Sequence, residues 1–545
     1  MTYTLVAIDV KGIQHYLFGS NKLQENIGAS EIVAQATEQW VYDSLTEWRH
    51  NFKSPFNPLT DDWYTGETIE AGQLEVEVIY AGGGNAVLIF TQPEQAKQFT
   101  QALTQKAILE APGLDIAVAH QSFDWNQSLS QAYQDLMERT LARRKAAYFP
   151  SIPLLGVGVT AVCQSTGLPA VALDPNEPGR IISAETKAKL VNTDKAEARY
   201  RKQFEVTPER RLRFIKDFNE IGTKNEASYI AVIHADGNGI GGRFKEITQN
   251  HPSAALNRPL INQLRRFSQS LRRAASLSLK EVIDKLISKV DWPTQKLSHH
   301  GIEIDIQEDK GEYILPVRPL VVGGDDTTFV CDGRLGLTMA TLYLQAFQQQ
   351  RLDDDLNLAS HACAGVAIVH NHYPFARAYS LSETLCNKAK GYVRQSKRNT
   401  GLDISALDWH FGVNGILEDL ATIRQRDYMV QAGQLFIRPV RLTEPERDPL
   451  HSWQTFRYVT DGFQRNWNKE KRNKLKKLRD VLRDGPQATK LFLLAYDLKG
   501  KLPEIEQYKQ SFQEFGWQSE TGGTCGYFDA IEAVDFFVDL EEVTG

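Results

Sequence analysis

The chain opens on an apolar run, Leu5-Val6-Ala7-Ile8, that ends in Asp9 and is followed by Gly12-Ile13. A short apolar stretch closed by a polar, glycine-bearing tip reads as a buried strand. The same signature returns at Ala231-Val232-Ile233-His234-Ala235-Asp236, followed by Gly239-Ile240. Three further landmarks recur in the same order. Glycine-rich turns sit between strand-like runs at Val78 to Phe90 and Arg318 to Gly333. Apolar strands start at Ile116 and Ala362, and helical stretches rich in small and basic residues start at Leu136 and Leu381. Helical spacing of apolar residues fills Gly28 to Leu45 in the first copy and Leu260 to Ile287 in the second. Each copy therefore reads strand, helix, hairpin, strand, helix, which predicts an α+β fold with a small antiparallel sheet in each half.

Outside the repeat the pattern changes. Residues 150–224 show little apolar periodicity and contain the charged run Lys195 to Phe214, read as a helical linker. Residues 412–545 read as mostly helical, with a basic amphipathic stretch from Lys469 to Arg479 whose plainest reading is a solvated face. The expected organisation is thus 1–149, 150–224, 225–411 and 412–545. A length of 545 residues accommodates several cores, and a net charge of −6 excludes a generally basic nucleic-acid coat. Five scattered cysteines without a C-x-x-C pair, no secretory leader and no apolar run near ~20 residues point to a cytoplasmic chain.

The chemistry concentrates in the second copy. Gly323-Gly324-Asp325-Asp326 places two carboxylates at a hairpin tip. Two such charges about 4 Å apart repel by roughly 4 kcal/mol at an effective dielectric near 20, a repulsion that a divalent cation reverses. Asp236 ends a strand and leads into Gly237-Asn238-Gly239-Ile240-Gly241-Gly242 before a helix, a run whose backbone N–H groups suit phosphate. Asp236, Asp325 and Asp326 are therefore the expected catalytic and metal-binding residues, for Mg²⁺ or Mn²⁺. Gly237, Asn238, Gly239, Ile240, Gly241, Gly323 and Gly324 are expected to face a nucleotide. Lys388 and Lys390, on the helix after the third strand, are expected near its triphosphate. The first copy keeps Asp9 but reads Gly82-Gly83-Gly84-Asn85 at its turn, so it is expected to be catalytically silent. His361, His370, His372 and His410 match no zinc spacing and read as core or loop residues.

These segments resemble the large subunit of type III CRISPR effector complexes, with its degenerate first Palm and active second Palm. The likeness lies in Gly12 to Ser30, Ala235 to Gly242, Val321 to Phe329, Ala364 to Lys390 and Ser405 to His410. It implies two ferredoxin-like Palm domains and the joining of nucleoside triphosphates, typically ATP, into cyclic oligonucleotide second messengers. RNA, other CRISPR subunits and further copies of the chain are the partners it suggests. The chain departs from the family pattern in three ways. It has no His-Asp dipeptide of an HD nuclease, it has Cys163 alone where a zinc site is common, and Asn238 stands at a second acidic position. A silent nucleotide-binding or scaffolding subunit is the alternative these departures leave open. A template-dependent polymerase would need a basic channel that the net charge does not advertise.

Overall fold

The computed structural model describes residues 2–53, 59, 63–147, 158–206, 211–222, 228–355, 359–412, 418–443, 449–467 and 472–541. The first half builds β1 (Thr2–Lys11), α1 (Leu23–Thr37), β2 (Val76–Gly82), β3 (Asn85–Phe90), α2 (Pro93–Glu110), β4 (Asp115–Asp124) and α3 (Ala142–Ala147). Its sheet runs β2-β3-β1-β4 with every pair antiparallel. The second half builds β5 (Tyr229–Gly237), α4 (Ile240–Gln249), α5 (Asn257–Lys289), β6 (Val317–Gly323), β7 (Asp326–Asp332), α6 (Gly336–Gln349), β8 (Ala362–His370), α7 (Phe375–Thr400) and β9 (Ala406–Gly412). Here the order is β6-β7-β5-β8, the same arrangement, extended by β9 parallel to β8 and by β10 (Val440–Arg441). The α+β architecture with an antiparallel four-stranded unit in each half is what the repeated strand pattern predicts.

Both central strands are buried on both faces, which is why β1 and β5 read as continuous apolar runs rather than as alternation. The 33-residue helix α5 packs against the second sheet and also meets the first. Arg258 and Arg265, one heptad apart on α5, both bond the buried Glu77 of β2, at 2.6 and 2.8 Å. One further heptad on, Arg272 pairs with Glu38. Breaking such a buried pair from one side leaves an uncompensated charge, so this stripe fixes how the two halves sit. Asn257 adds bonds from the start of α5 to the carbonyls of Trp125 and Gln127.

Between the halves lie a small hairpin (Ala172–Leu173 with Ile181–Ile182) and the helices Ala184–Val191 and Thr193–Gln203. A short strand, Leu212–Phe214, follows, and residues 150–157, 207–210 and 223–224 of the linker lie outside the described residues. The C-terminal portion contains α8 (Trp453–Asn466), α9 (Arg472–Arg483) and α10 (Pro486–Ala495) around buried tryptophans, among them Trp453 and Trp467. It is helical as expected, but four short strands also form a sheet there, in the order Met429–Val430, Gly433–Gln434, Gly522–Cys525, Trp517–Ser519. Strands of two to four residues carry too little periodicity to be seen in a sequence. Of the basic stretch, residues 469–471 lie outside the described residues. No helix among the described residues is long and apolar enough to cross a membrane.

Candidate functional site

The register of the second sheet sets the site. Asp236, the next-to-last residue of β5, lies directly opposite Asp326, the first residue of β7. His234 is two residues before Asp236 and faces Thr328 across the ladder, so all four side chains share one face. One ligand atom from each of His234, Asp236 and Asp326 lies within 4.8 Å of the others. His234 is buried, and its Nδ1 lies 3.2 Å from the Thr328 hydroxyl. Asp325 occupies the tip between Gly324 and Asp326, and its carbonyl accepts the Gly237 N–H at 3.1 Å. That bond ties the end of β5 to the turn. Gly324 takes φ +64°, a left-handed conformation that a side chain would strain.

Electrostatics mark the cluster as short of positive charge. Burial, reinforced by the negative charges of Asp325 and Asp236, pushes the Asp326 carboxyl up to about 8. Burial and Asp236 also raise Asp325. Burial keeps His234 below the usual histidine range, so its ring is neutral. Lys390 supplies the nearby cation, paired with Asp236. Although burial opposes it, that pair holds the Lys390 ammonium above the ordinary lysine value. Two carboxylates and a neutral imidazole facing one lysine form an oxygen-rich donor set that fits Mg²⁺ or Mn²⁺. Raised carboxyl pKa values in a partly open cluster are also what functional sites show.

The other expected residues fall around this cluster. Helix α4 begins at Ile240 with Gly239 as its N-cap at φ +69° and no capping side chain. Gly237 is buried, whereas Gly239, Gly241 and Gly242 are exposed, and a Cβ at either of the last two would meet nothing within 4 Å. Asn238 turns away from the carboxylates, donating to the Ile404 carbonyl at 3.0 Å and to Asp403 at 3.3 Å. Lys388 is exposed and, two residues before Lys390, falls on the other side of α7. Helix α7 lies on the sheet face of the carboxylates because Gly365, opposite His234, allows it. A Cβ at Gly365 would stand 2.0 Å from the Ser382 carbonyl oxygen.

The first sheet repeats the frame. Asp9 lies opposite Asn85 in register, as Asp236 lies opposite Asp326. Lys145 of α3 pairs with Asp9, as Lys390 pairs with Asp236. The two glycine turns also touch, since a Cβ at Gly323 would stand 3.5 Å from the Cα of Gly83. His234 and Lys145 did not emerge from the sequence as site residues. His234 sits inside an apolar strand run, and Lys145 is one of three adjacent basic residues, Arg143, Arg144 and Lys145.

Residues 229–400, which carry every member of this cluster, match the family model described as Cas10/Cmr2, second palm domain. This segment is a Cas10/Cmr2 palm. Across the whole chain, the crystal structure of Csm1 in T.onnurineus aligns with a TM-score of 0.51 at 15% identity, covering 98% of this chain and 70% of that one. Two Csm1-Csm4 cassettes align over 98% of this chain as well. One, in complex with one ATP, gives a TM-score of 0.49 at 14% identity and covers 70% of its chain. The other, in complex with cA4, gives 0.47 at 14% and also covers 70%. No curated protein matches the chain. The alignment with Csm1 spans the first sheet as well as residues 229–400.

Proposed function

We propose that the chain is a nucleotidyltransferase that joins nucleoside triphosphates, with ATP as the expected substrate, into a cyclic oligonucleotide in CRISPR-type antiviral defence. The carrying observation is the Asp236–Asp326 pair, opposed in register inside a Cas10/Cmr2 palm, with a carboxyl pushed up to about 8 and one lysine beside it. In this reading residues 1–149 and 225–411 are two palm domains, 150–224 joins them and 412–545 closes the second. Other CRISPR subunits are the expected protein partners.

Asp236, Asp326 and Asp325 would hold divalent ions, with His234 placed to accept one or to fix the Asp326 side of the cluster. When bound, such ions neutralise triphosphate oxygens and make a ribose hydroxyl a better nucleophile. The open N-terminus of α4 and the exposed Gly239 and Gly241 present backbone N–H groups to phosphate. Lys390, which pairs with Asp236, would supply a cation for the triphosphate oxygens and the departing pyrophosphate. The touching turns of the two sheets support an acceptor nucleotide resting near Asp9 and Gly82 to Asn85.

The Lys390–Asp236 pair and the diversion of Asn238 favour a second reading, a palm that binds nucleotide without turnover. Incubating the chain with each nucleoside triphosphate and Mg²⁺ or Mn²⁺, then resolving products by mass spectrometry, decides between them. Oligonucleotide products from wild type and none from Asp236→Asn support the transferase. Bound but unconverted triphosphate supports the second reading.

A further inference from the structure

A cavity of about 930 Å³, separate from the carboxylate cluster, lies between β9, α9 and the segment that follows Phe528–Ala533. It opens at the far end of β5 from the carboxylates. Tyr229, which lines it, is the first residue of that strand and stands seven residues, about 23 Å, from Asp236. One wall belongs to α9. Arg472, Lys476, Arg479 and Arg483 recur at spacings of four, three and four and line the cavity, while Leu475, Leu478 and Leu482 are buried. The basic run that reads in sequence as a solvated face is therefore the wall of a pocket.

The charges in that wall are unequally balanced. Arg472 is paired with Asp535, and Arg426 with Asp427 and Glu418. Lys476 has no ion pair among the described residues. Arg479 lies 3.8 Å from Asp480 and also interacts electrostatically with Glu532, another lining residue, while its Nε has no hydrogen-bond partner. Across the cavity, Tyr229, Phe411 and Phe536 form an aromatic wall, with ring centroids 4.9 Å apart for Tyr229–Phe536 and 5.4 Å for Phe411–Phe536. His410 also lines it. That residue is 3% exposed, its Nδ1 lacks a hydrogen-bond partner, and burial, with Arg438 and Arg424 nearby, holds it down to about 3. The ring is thus neutral and offers one donor and one acceptor nitrogen.

We propose that this cavity binds a nucleotide, with its phosphate on Lys476 and Arg479 and its base against the aromatic wall beside His410. A lysine without an ion pair among the described residues and a loosely paired arginine, sharing the cavity with a stacking surface and an imidazole whose Nδ1 is unsatisfied, suit a phosphate joined to a base better than either part alone. The phosphate-bearing base can be a free nucleotide or the end of a strand. The proposal does not depend on turnover at Asp236.

Calorimetric titration of the full chain in EDTA, which suppresses ion-dependent binding at the palm, tests it. The probes are ATP, AMP, inorganic tripolyphosphate and a 5′-phosphorylated hexaribonucleotide. Nucleotide binding is expected in wild type and in Asp236→Asn, and at least about tenfold weaker in Lys476→Glu/Arg479→Glu, the loss of two charge-assisted contacts. Binding of AMP or ATP identifies the free nucleotide, and binding of the hexaribonucleotide alone identifies a strand end. Thermal melts check that the variant folds, with Lys476→Gln/Arg479→Gln as the milder substitute. The proposal is overturned if no probe binds wild type, if both charge variants bind as wild type does, or if tripolyphosphate binds as tightly as ATP.

Discussion

The two sheets of this chain are built on one plan and differ at their turns. Each has a central strand ending in an aspartate, an antiparallel neighbour starting opposite it, a glycine-rich tip and a lysine from a following helix paired with the aspartate. In the second sheet Asp325 and Asp326 stand where the first has Gly84 and Asn85. The frame that positions the acid therefore survives without the acids it faces. An aspartate with one lysine is balanced in charge. Three carboxylates with one lysine are not, and the raised pKa values of Asp325 and Asp326 record the imbalance. The comparison teaches that the residues to weigh in such a repeat are those that cost the fold something.

Neutralising the second cluster should have the largest effect. Asp236→Asn or Asp326→Asn is expected to lower product formation by about 10³-fold or more, or ~4 kcal/mol of transition-state stabilisation, while Asp9→Asn lowers it less than tenfold. Equal losses from Asp9→Asn and Asp326→Asn would break the comparison outright. Next comes packing. Gly365→Ala drives a methyl toward the Ser382 carbonyl under α7 and should destabilise by roughly 1–3 kcal/mol, seen as a lower midpoint in denaturant. Gly391→Ala, on the same helix with nothing within 4 Å of its added Cβ, is the control and should not destabilise.

The charge imbalance predicts a smaller effect with a definite sign. Asp326 titrates higher in the folded chain than unfolded, so its contribution favours folding at low pH and is lost as pH rises through about 8. In EDTA the chain should thus be more stable near pH 6 than near pH 9 on this account, and Asp326→Asn should be stabilising at the higher pH, by on the order of 1–3 kcal/mol. Mg²⁺ should cancel most of that gain. An Asp326→Asn chain that melts lower than wild type in EDTA at pH 9 would show that no such repulsion is stored. The smallest effect should come from Asn85→Asp, which rebuilds only one of the two missing acids. It should add a weak second Mn²⁺ site without adding turnover.

Much of this was legible in the residues themselves. Apolar runs ending in Asp9 and Asp236 gave both central strands, and four landmarks in order gave the repeat and the α+β class. The Gly-Gly-Asp-Asp turn named the cluster that the register then assembled. Other features were hidden for physical reasons. His234 reaches the cluster only through strand alternation and the pairing of β5 with β7, which no local pattern reveals. The Arg258-Arg265-Arg272 stripe reads as an ordinary solvated face until Glu77 and Glu38 arrive from far along the chain. The same holds for α9, where the cavity on the basic side depends on β9 and the C-terminal segment. The short strands near Met429 and Gly522 were too brief to carry a period.

Mn²⁺ binding, followed by electron paramagnetic resonance on wild type, Asp326→Asn and Asp9→Asn, tests the asymmetry between the sheets most directly. The ion should bind wild type and Asp9→Asn alike and lose at least about tenfold in affinity for Asp326→Asn, since a carboxylate ligand is gone. Unchanged binding by Asp326→Asn, or loss of binding in Asp9→Asn alone, would contradict the account.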